Sequence, residues 1–405
     1  MYHILGDLYS MKIISILITL LFFAGCASRP TPLPKEAYQQ LPFGAMNLDI
    51  KNDSQFGLKK SLGNSLLQKI ATFKRTKKDV QYNILTLSGG GSAGAFGVGV
   101  LQGWQKRGDM PQFDVVTGIS TGSIISNFIF LGGNEVTHIA DIYKNLTNDK
   151  LYHLRPLSFF MKNALVDPAP LKAMIQKEIT PQLLQRVANE YKKGRRLYVG
   201  TTNLDTGGLV VWDMGAIAAS NYPNKLQRYR DIIYASSAIP FFFPAQYFQV
   251  NYHNKTYYQM HVDGGIYAYT FMVGLLIDWQ KVLNLQTDIK GHFHTHMYTI
   301  ANRKYHLKSA KKPVEGSTLS VVKAMLKTQT DLAFDCSMRT LYFLAKKRNI
   351  DYKFMFIPQN AQMQHLPSDF DPKEMNRVFT LGYTMGKKQA WQTKVKEDIF
   401  TKPLR

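Results

Sequence analysis

YNILTLSGGGSAGAFGVGVLQGWQKRG, residues 82–108, opens as an apolar run of strand length, breaks at glycines, and continues at helical spacing to a glycine stop. FDVVTGIS (113–120) repeats the plan, with the helical run SIISNFIFLGG behind it. Two strand–turn–helix units in succession predict a parallel sheet with helices on its faces, an α/β domain. RRLYVGTTNLD (195–205), MHVDGG (260–265) and DYKFMFIP (351–358) read as further strands, ASSAIPFFFPA (235–245) as a helix end and loop, and 317–348 and 371–397 as helices. The packed body is expected from about Gln81, in one domain spanning 81–397.

The glycine stretch SGGGSAGAFG (88–97) fits three motifs. Gly89, Gly91 and Gly94 match a dinucleotide fingerprint, Gly90, Ser92 and Gly94 match a nucleophile elbow, and the run as a whole suits an oxyanion loop. The dinucleotide reading needs an acid at the far end of the next strand; Asp114 stands at the near end of FDVV, so no ribose ligand is offered. A second elbow, GISTG, centres on Ser120. One such match arises by chance in about 0.1 chains of this length, so its setting decides. A buried strand feeds a tight turn flanked by Gly118 and Gly122, with a helix behind, as an exposed and rigidly held nucleophile requires. Three glycines before Ser92 leave too much freedom for a nucleophile, but let backbone N–H groups approach a substrate closely. Ser92 reads as a loop or N-cap residue.

A nucleophilic serine needs a base. Asp263 ends an apolar strand and is followed by two glycines, with Asp205 and Asp213 as competitors. His292, His294 and His296 alternate in GHFHTHMY, and His306 and His365 follow. A triad using one of them is a second possibility, and His261 is a neighbour of Asp263 on the same strand face. The alternating trio suggests a polar strand face more than zinc, since no ligand at metal spacing completes a site.

Outside the body, Lys12 and the apolar run 13–24 form an n-region and h-region too short for a comfortable bilayer span, which reads as a signal peptide over 1–25, with Met11 as the expected start. It ends in FAGC, similar to a bacterial lipobox with Phe23 in place of the usual Leu, making Cys26 the expected lipidation site and the cell envelope, at the outer membrane or in the periplasm, the expected location. Residues 26–80 then read as a Pro-rich tether and a basic linker, with 58–78 a short basic helix or part of that linker. Cys336 is the other cysteine, so an acylated Cys26 leaves no intramolecular disulfide. The net charge of +22 is scattered, a solvated surface that is also drawn to an anionic membrane, and no nucleic-acid-binding signature accompanies it.

With GGGSAG, GISTG and DGG in that order, and with TTNLDTG, ASSAIP and FDPKEMNRVFTLGY besides, the chain resembles the patatin-like phospholipase family, in particular its bacterial lipoprotein-type members. The resemblance implies a three-layer α/β/α fold with a mainly parallel sheet and a serine acyl-ester hydrolase acting on phospholipid or lysophospholipid without metal, nucleotide or other cofactor. It places Ser120 as nucleophile, Asp263 as base in a Ser–Asp dyad, and Gly89, Gly90, Gly91 and Gly94 on the oxyanion loop. Many relatives carry Arg or Lys where this chain has Ala93, a departure that leaves the oxyanion to backbone donors and keeps open a catalytically weak, lipid-anchored binding protein as the alternative.

Overall fold

The computed structural model of the chain describes residues 29–46, 57–155, 164–272, 292–305, 313–363 and 368–394. The signal peptide, Cys26, His306 and His365 lie outside them.

The strands in chain order are β1 (Val80–Leu87), β2 (Val115–Ile119), β3 (His153–Leu154), β4 (Val166–Asp167), β5 (Arg196–Asn203), β6 (Gly208–Asp213), β7 (Gln246–Tyr252), β8 (Lys255–Asp263), β9 (Phe293–Lys304) and β10 (Asp351–Ile357). The α-helices are α1 (Leu58–Thr76), α2 (Gly94–Arg107), α3 (Thr121–Leu131), α4 (Asn134–Lys144), α5 (Ala169–Glu178), α6 (Pro181–Lys192), α7 (Met214–Ala219), α8 (Lys225–Ser237), α9 (Thr318–Lys347) and α10 (Pro372–Lys387). In the main sheet the order is β10-β9-β1-β2-β5-β8-β7, with β6 hairpinned onto β5 and β3–β4 a separate ribbon. Pairing from β10 to β5 is parallel, whereas β6, β8 and β7 join antiparallel.

Side chains of β1 alternate between two cores, as a strand's period of two dictates when both faces are covered: Leu85 and Leu87 enter one, Tyr82 and Ile84 the other. Helices α2 to α8 and α10 build the first core and α1 and α9 the second, giving the three-layer α/β/α fold with a mostly parallel sheet.

Packed structure begins upstream of Gln81. Helix α1 turns Leu62, Leu66, Ile70 and Phe73 into the second core, and its polar positions bond downward: Ser61 Oγ donates to Asp213 Oδ2 at 2.5 Å, and Lys69 Nζ reaches Asp114 at 2.7 Å. The basic composition of 58–78 hid this apolar stripe. Residues 29–46, expected as part of a free tether, are also held, with Pro32 bridging Tyr258 and Ala45 bridging Trp212.

Helices α2 and α10 cross with backbones nearly touching. A Cβ on Gly99 would stand 2.2 Å from Phe379 O, one on Gly103 2.1 Å from Tyr383 O, and one on Gly386 2.1 Å from Val100 O. Small residues four apart on both helices permit this approach, which fixes the helix following the glycine loop.

Candidate active site

Strand β2 delivers Ser120 at its C-terminal end with φ 55° and ψ −125°, a region that costs an L-residue about 1–3 kcal/mol and persists where neighbours enforce it. Here they do. Ser120 N–H donates to Ser236 Oγ at 2.9 Å, Ser236 Oγ donates to Gly200 O at 2.8 Å, and Ser120 O accepts from Ser123 N–H at 2.8 Å. The flanking glycines are steric necessities: a Cβ on Gly118 would meet Gly122 O at 2.3 Å, and one on Gly122 would meet Leu87 O at 2.5 Å.

Asp263 arrives from the opposite direction, because β8 runs antiparallel to β5 with Asp263 beside Thr201. Its Oδ2 accepts the Ser120 hydroxyl at 2.6 Å, and its Oδ1 accepts Gly265 N–H at 2.7 Å. Backbone bonds lock the residue further, with Asp263 N–H donating to Ala238 O at 2.9 Å and Thr202 Oγ1 donating to Asp263 O at 2.9 Å. Burial pushes the Asp263 carboxyl up to about 7, against the opposing pull of the Ser120 and Gly265 hydrogen bonds. A carboxylate poised there can take and return a proton near neutral pH.

The competing acids are committed elsewhere. Asp205 is held by Arg29 at 2.6 and 3.0 Å, Asp213 caps α7 through Ala216 N–H at 2.8 Å, and Asp114 accepts Asn83 N–H at 2.8 Å at the start of β2. His261 is buried between Trp212 and Phe248, its Nδ1 bonded to Thr201 Oγ1 at 2.9 Å, and burial pushes it down to about 3. The ring is a neutral structural element. His294 and His296 pair in register with Gln81 and Asn83, at the end of β1 opposite the glycine loop. His292 bonds Asp79 at 2.8 Å and His296 bonds Asp351 at 2.8 Å, so these histidines stand at the far edge of the sheet from Ser120. Among the described residues no cluster of His, Cys, Asp or Glu could hold a metal ion.

The glycine loop divides its work. Gly89 N–H is already given to Tyr269 O at 3.2 Å, and Gly94 N–H turns back to Gly91 O and Ser92 O. Those two glycines supply space: a Cβ on Gly89 would come within 3.1 Å of Ser120 Cβ, and one on Gly94 within 2.8 Å of Thr121 Oγ1. The N–H groups of Gly90 and Gly91 have no partner among the described residues. Gly90, at φ 148°, could not carry a Cβ, which would meet Asn302 O at 2.4 Å. Of the four expected donors, then, two are free to meet a ligand. Asn302 braces the loop from β9, its Nδ2 donating to Ser88 O at 3.0 Å and its Oδ1 accepting Gly97 N–H at 2.9 Å. Neither Asn302 nor Ser236 stood out in the sequence, although Ser236 lies in ASSAIP; their roles are backbone bonds to distant residues, which no local pattern reports.

Ala93 is buried at 4% exposure inside the first core. Two helix N-termini add positive potential at the site: α3 starts at Thr121, directly after Ser120, and α2 at Gly94 behind the loop.

Beside Ser120 opens an apolar pocket whose wall carries Ile124, Leu146, Leu171, Met174, Phe242 and Phe370. Gly91 and Ser120 form its polar end. A long apolar wall meeting one serine and free N–H donors suits a ligand with a hydrocarbon chain ending in a polar carbonyl.

Residues 85–273 match the family model described as patatin-like phospholipase. No curated protein matches the chain. Among solved structures, the crystal structure of VipD from Legionella pneumophila is similar over 77% of this chain and 68% of that one, at 14% identity and a TM-score of 0.38.

Proposed function

We propose that the chain, whose residues 85–273 match the patatin-like phospholipase family model, is a serine acyl-ester hydrolase of phospholipid or lysophospholipid, working through Ser120 and Asp263. The observation that carries this reading is the 2.6 Å bond from the Ser120 hydroxyl to Asp263 at the end of an apolar cavity.

In the reaction, Ser120 Oγ attacks the ester carbonyl carbon as Asp263 takes its proton. The carbonyl π pair moves to oxygen, where Gly90 and Gly91 N–H groups and the two helix N-termini hold the charge. As the carbonyl re-forms, the bond to the glycerol oxygen breaks, and that oxygen leaves with the proton from Asp263. Water then gives a proton to Asp263 and attacks the acyl-serine; Ser120 recovers the proton and fatty acid departs. The acyl chain lies along the apolar wall throughout.

We assign Cys26 to lipidation after removal of 1–25, and the chain to a bacterial envelope membrane whose anionic lipids attract its +22 charge. The support is the FAGC motif at the end of a short apolar run.

Lipid-class profiling of products from the purified chain, beside Ser120→Ala, tests the hydrolase reading. Fatty acid with lysolipid or glycerophosphodiester, lost in the variant, is expected. Equal release by both proteins, or failure of a serine-directed phosphonate probe to label Ser120 in folded protein, would overturn it in favour of a binding role.

A further inference from the structure

The β7–β8 hairpin is long for the sheet it joins. Its pairing with β5 ends at His261 opposite Asn203, so Lys255 to Met260 run on past the edge where Ser120 and the glycine loop lie, about 20 Å at strand rise. A two-residue turn closes the tip, with His253 at φ 48° and Asn254 at φ 58°, the left-handed pair that matches strand twist. The N-terminal segment lies along this projection. Pro32 bridges Tyr258 in parallel, Tyr258 N–H donates to Thr31 O at 2.9 Å, and Arg29 clamps Asp205 and donates to Tyr258 O at 3.3 Å. Parallel pairing fixes the local direction: from Pro32 back to Arg29 the described chain runs antiparallel to the course of β8, toward the hairpin tip.

Leu33, Ala37 and Val250 form a small core there with half-buried Tyr38, Tyr252 and Tyr257 packed against it, while Lys35, His253 and Lys255 are exposed. Half-buried tyrosines, each an apolar ring with a polar hydroxyl, beside exposed Lys35 and Lys255 and with Glu36 the exposed acid among them, are the composition of a membrane–water interface. Cys26 stands three residues before Arg29 and reaches at most about 11 Å from it when fully extended. We infer that this tyrosine-bearing hairpin, with residues 29–38 strapped to it, is the face the protein rests on a lipid bilayer, holding the Ser120 edge of the sheet toward the membrane instead of letting the body roam on a tether. The inference rests on the assignment of Cys26 as the lipidated residue.

Depth-dependent quenching tests it. The full chain in a Cys336→Ser background carries a bimane at Thr256→Cys or, as a second site on the hairpin, Gln249→Cys, with His294→Cys at the opposite sheet edge as control. Each is reconstituted into phosphatidylethanolamine–phosphatidylglycerol vesicles containing nitroxide lipids. Quenching several-fold stronger at 256 and 249 than at 294 is expected; equal quenching, or more at 294, overturns the inference. Intact mass reports acylation separately. A chain without acyl groups sinks the Cys26 assignment, and the docking face is then decided by quenching of its Cys26→Ser version, labelled at the one introduced cysteine, on the same vesicles, with failure to bind overturning it. Hydrolysis of a soluble short-chain ester reads the Ser120 chemistry independently of either.

Discussion

Ser120 and Asp263 meet from strands of opposite direction, and the 2.6 Å bond between them joins the end of a parallel strand to the end of an antiparallel one. Each residue is fixed through its backbone before the side chains touch, so the pair is preorganised. Ser120→Ala and Asp263→Asn are each expected to lower kcat for fatty-acid release by about 10⁴-fold or more, the scale of losing a nucleophile or its base. Wild-type turnover in either variant would exclude the dyad.

The pH dependence follows from Asp263. Its carboxyl is held up at about 7 by burial, and it must be ionised to accept the serine proton, so kcat/KM should rise with pH through about 7 and level off above it. A rise centred near 4, the ordinary carboxylate range, would mean that another group limits the reaction.

The same burial acts on stability with the opposite sign. A carboxyl raised in the folded state contributes stability that is fully present below its ordinary value near 4 and lost as pH rises through about 7. Asp263→Asn, which keeps the shape without the buried charge, is therefore expected to unfold at higher denaturant than wild type at pH 8, by about 1–3 kcal/mol, and the gain should shrink toward pH 5. Denaturant titrations at the two pH values check it.

Gly90→Ala adds a methyl 2.4 Å from Asn302 O at a φ of 148° and must displace the loop. A fall in kcat of about 10²–10³ with KM little changed is expected, the scale of one lost oxyanion donor. Circular dichroism melts with soluble-ester kinetics separate this from unfolding.

Single replacements of His292, His294 and His296 should leave fatty-acid release unchanged, because those rings bond Asp79 and Asp351 at the far sheet edge. Loss of activity in any of them would revive a histidine triad.

Gly99→Ala and Gly103→Ala place methyls 2.2 and 2.1 Å from carbonyls of α10. Each should destabilise the fold by about 1–3 kcal/mol through forced separation of the helices, read as a lowered melting temperature. Since α2 follows the glycine loop, activity below the melt should fall as well.

Much of this was legible from local pattern. The apolar run–glycine–helix plan of 82–108 and 113–133 predicts the parallel core, since a strand buried on both faces reads as a continuous apolar run. GISTG with its flanking strand and helix pointed to Ser120, because the elbow's strain and glycine needs are encoded within five residues. Other readings failed where the evidence was non-local. Lysine-rich 58–78 gave no hint that α1 would pack, since its apolar stripe is interrupted by Ser61, Ser65 and Lys69, which look like a solvated face until Asp213, Tyr82 and Asp114 are placed beneath them.

Residue type and spacing alone determined the α/β class, the order of glycine loop, serine and aspartate, and the short apolar run ending at Cys26, for each is a property of neighbouring residues along the chain. The tertiary structure decided which acid meets the serine, which glycines keep a free N–H, and where the histidines stand. Those depend on strand direction, on who already accepts each donor, and on which end of a strand faces the site. A chain folded through crossovers makes such relations between residues as far apart as Ser120 and Asp263, 143 positions, and no local window contains both.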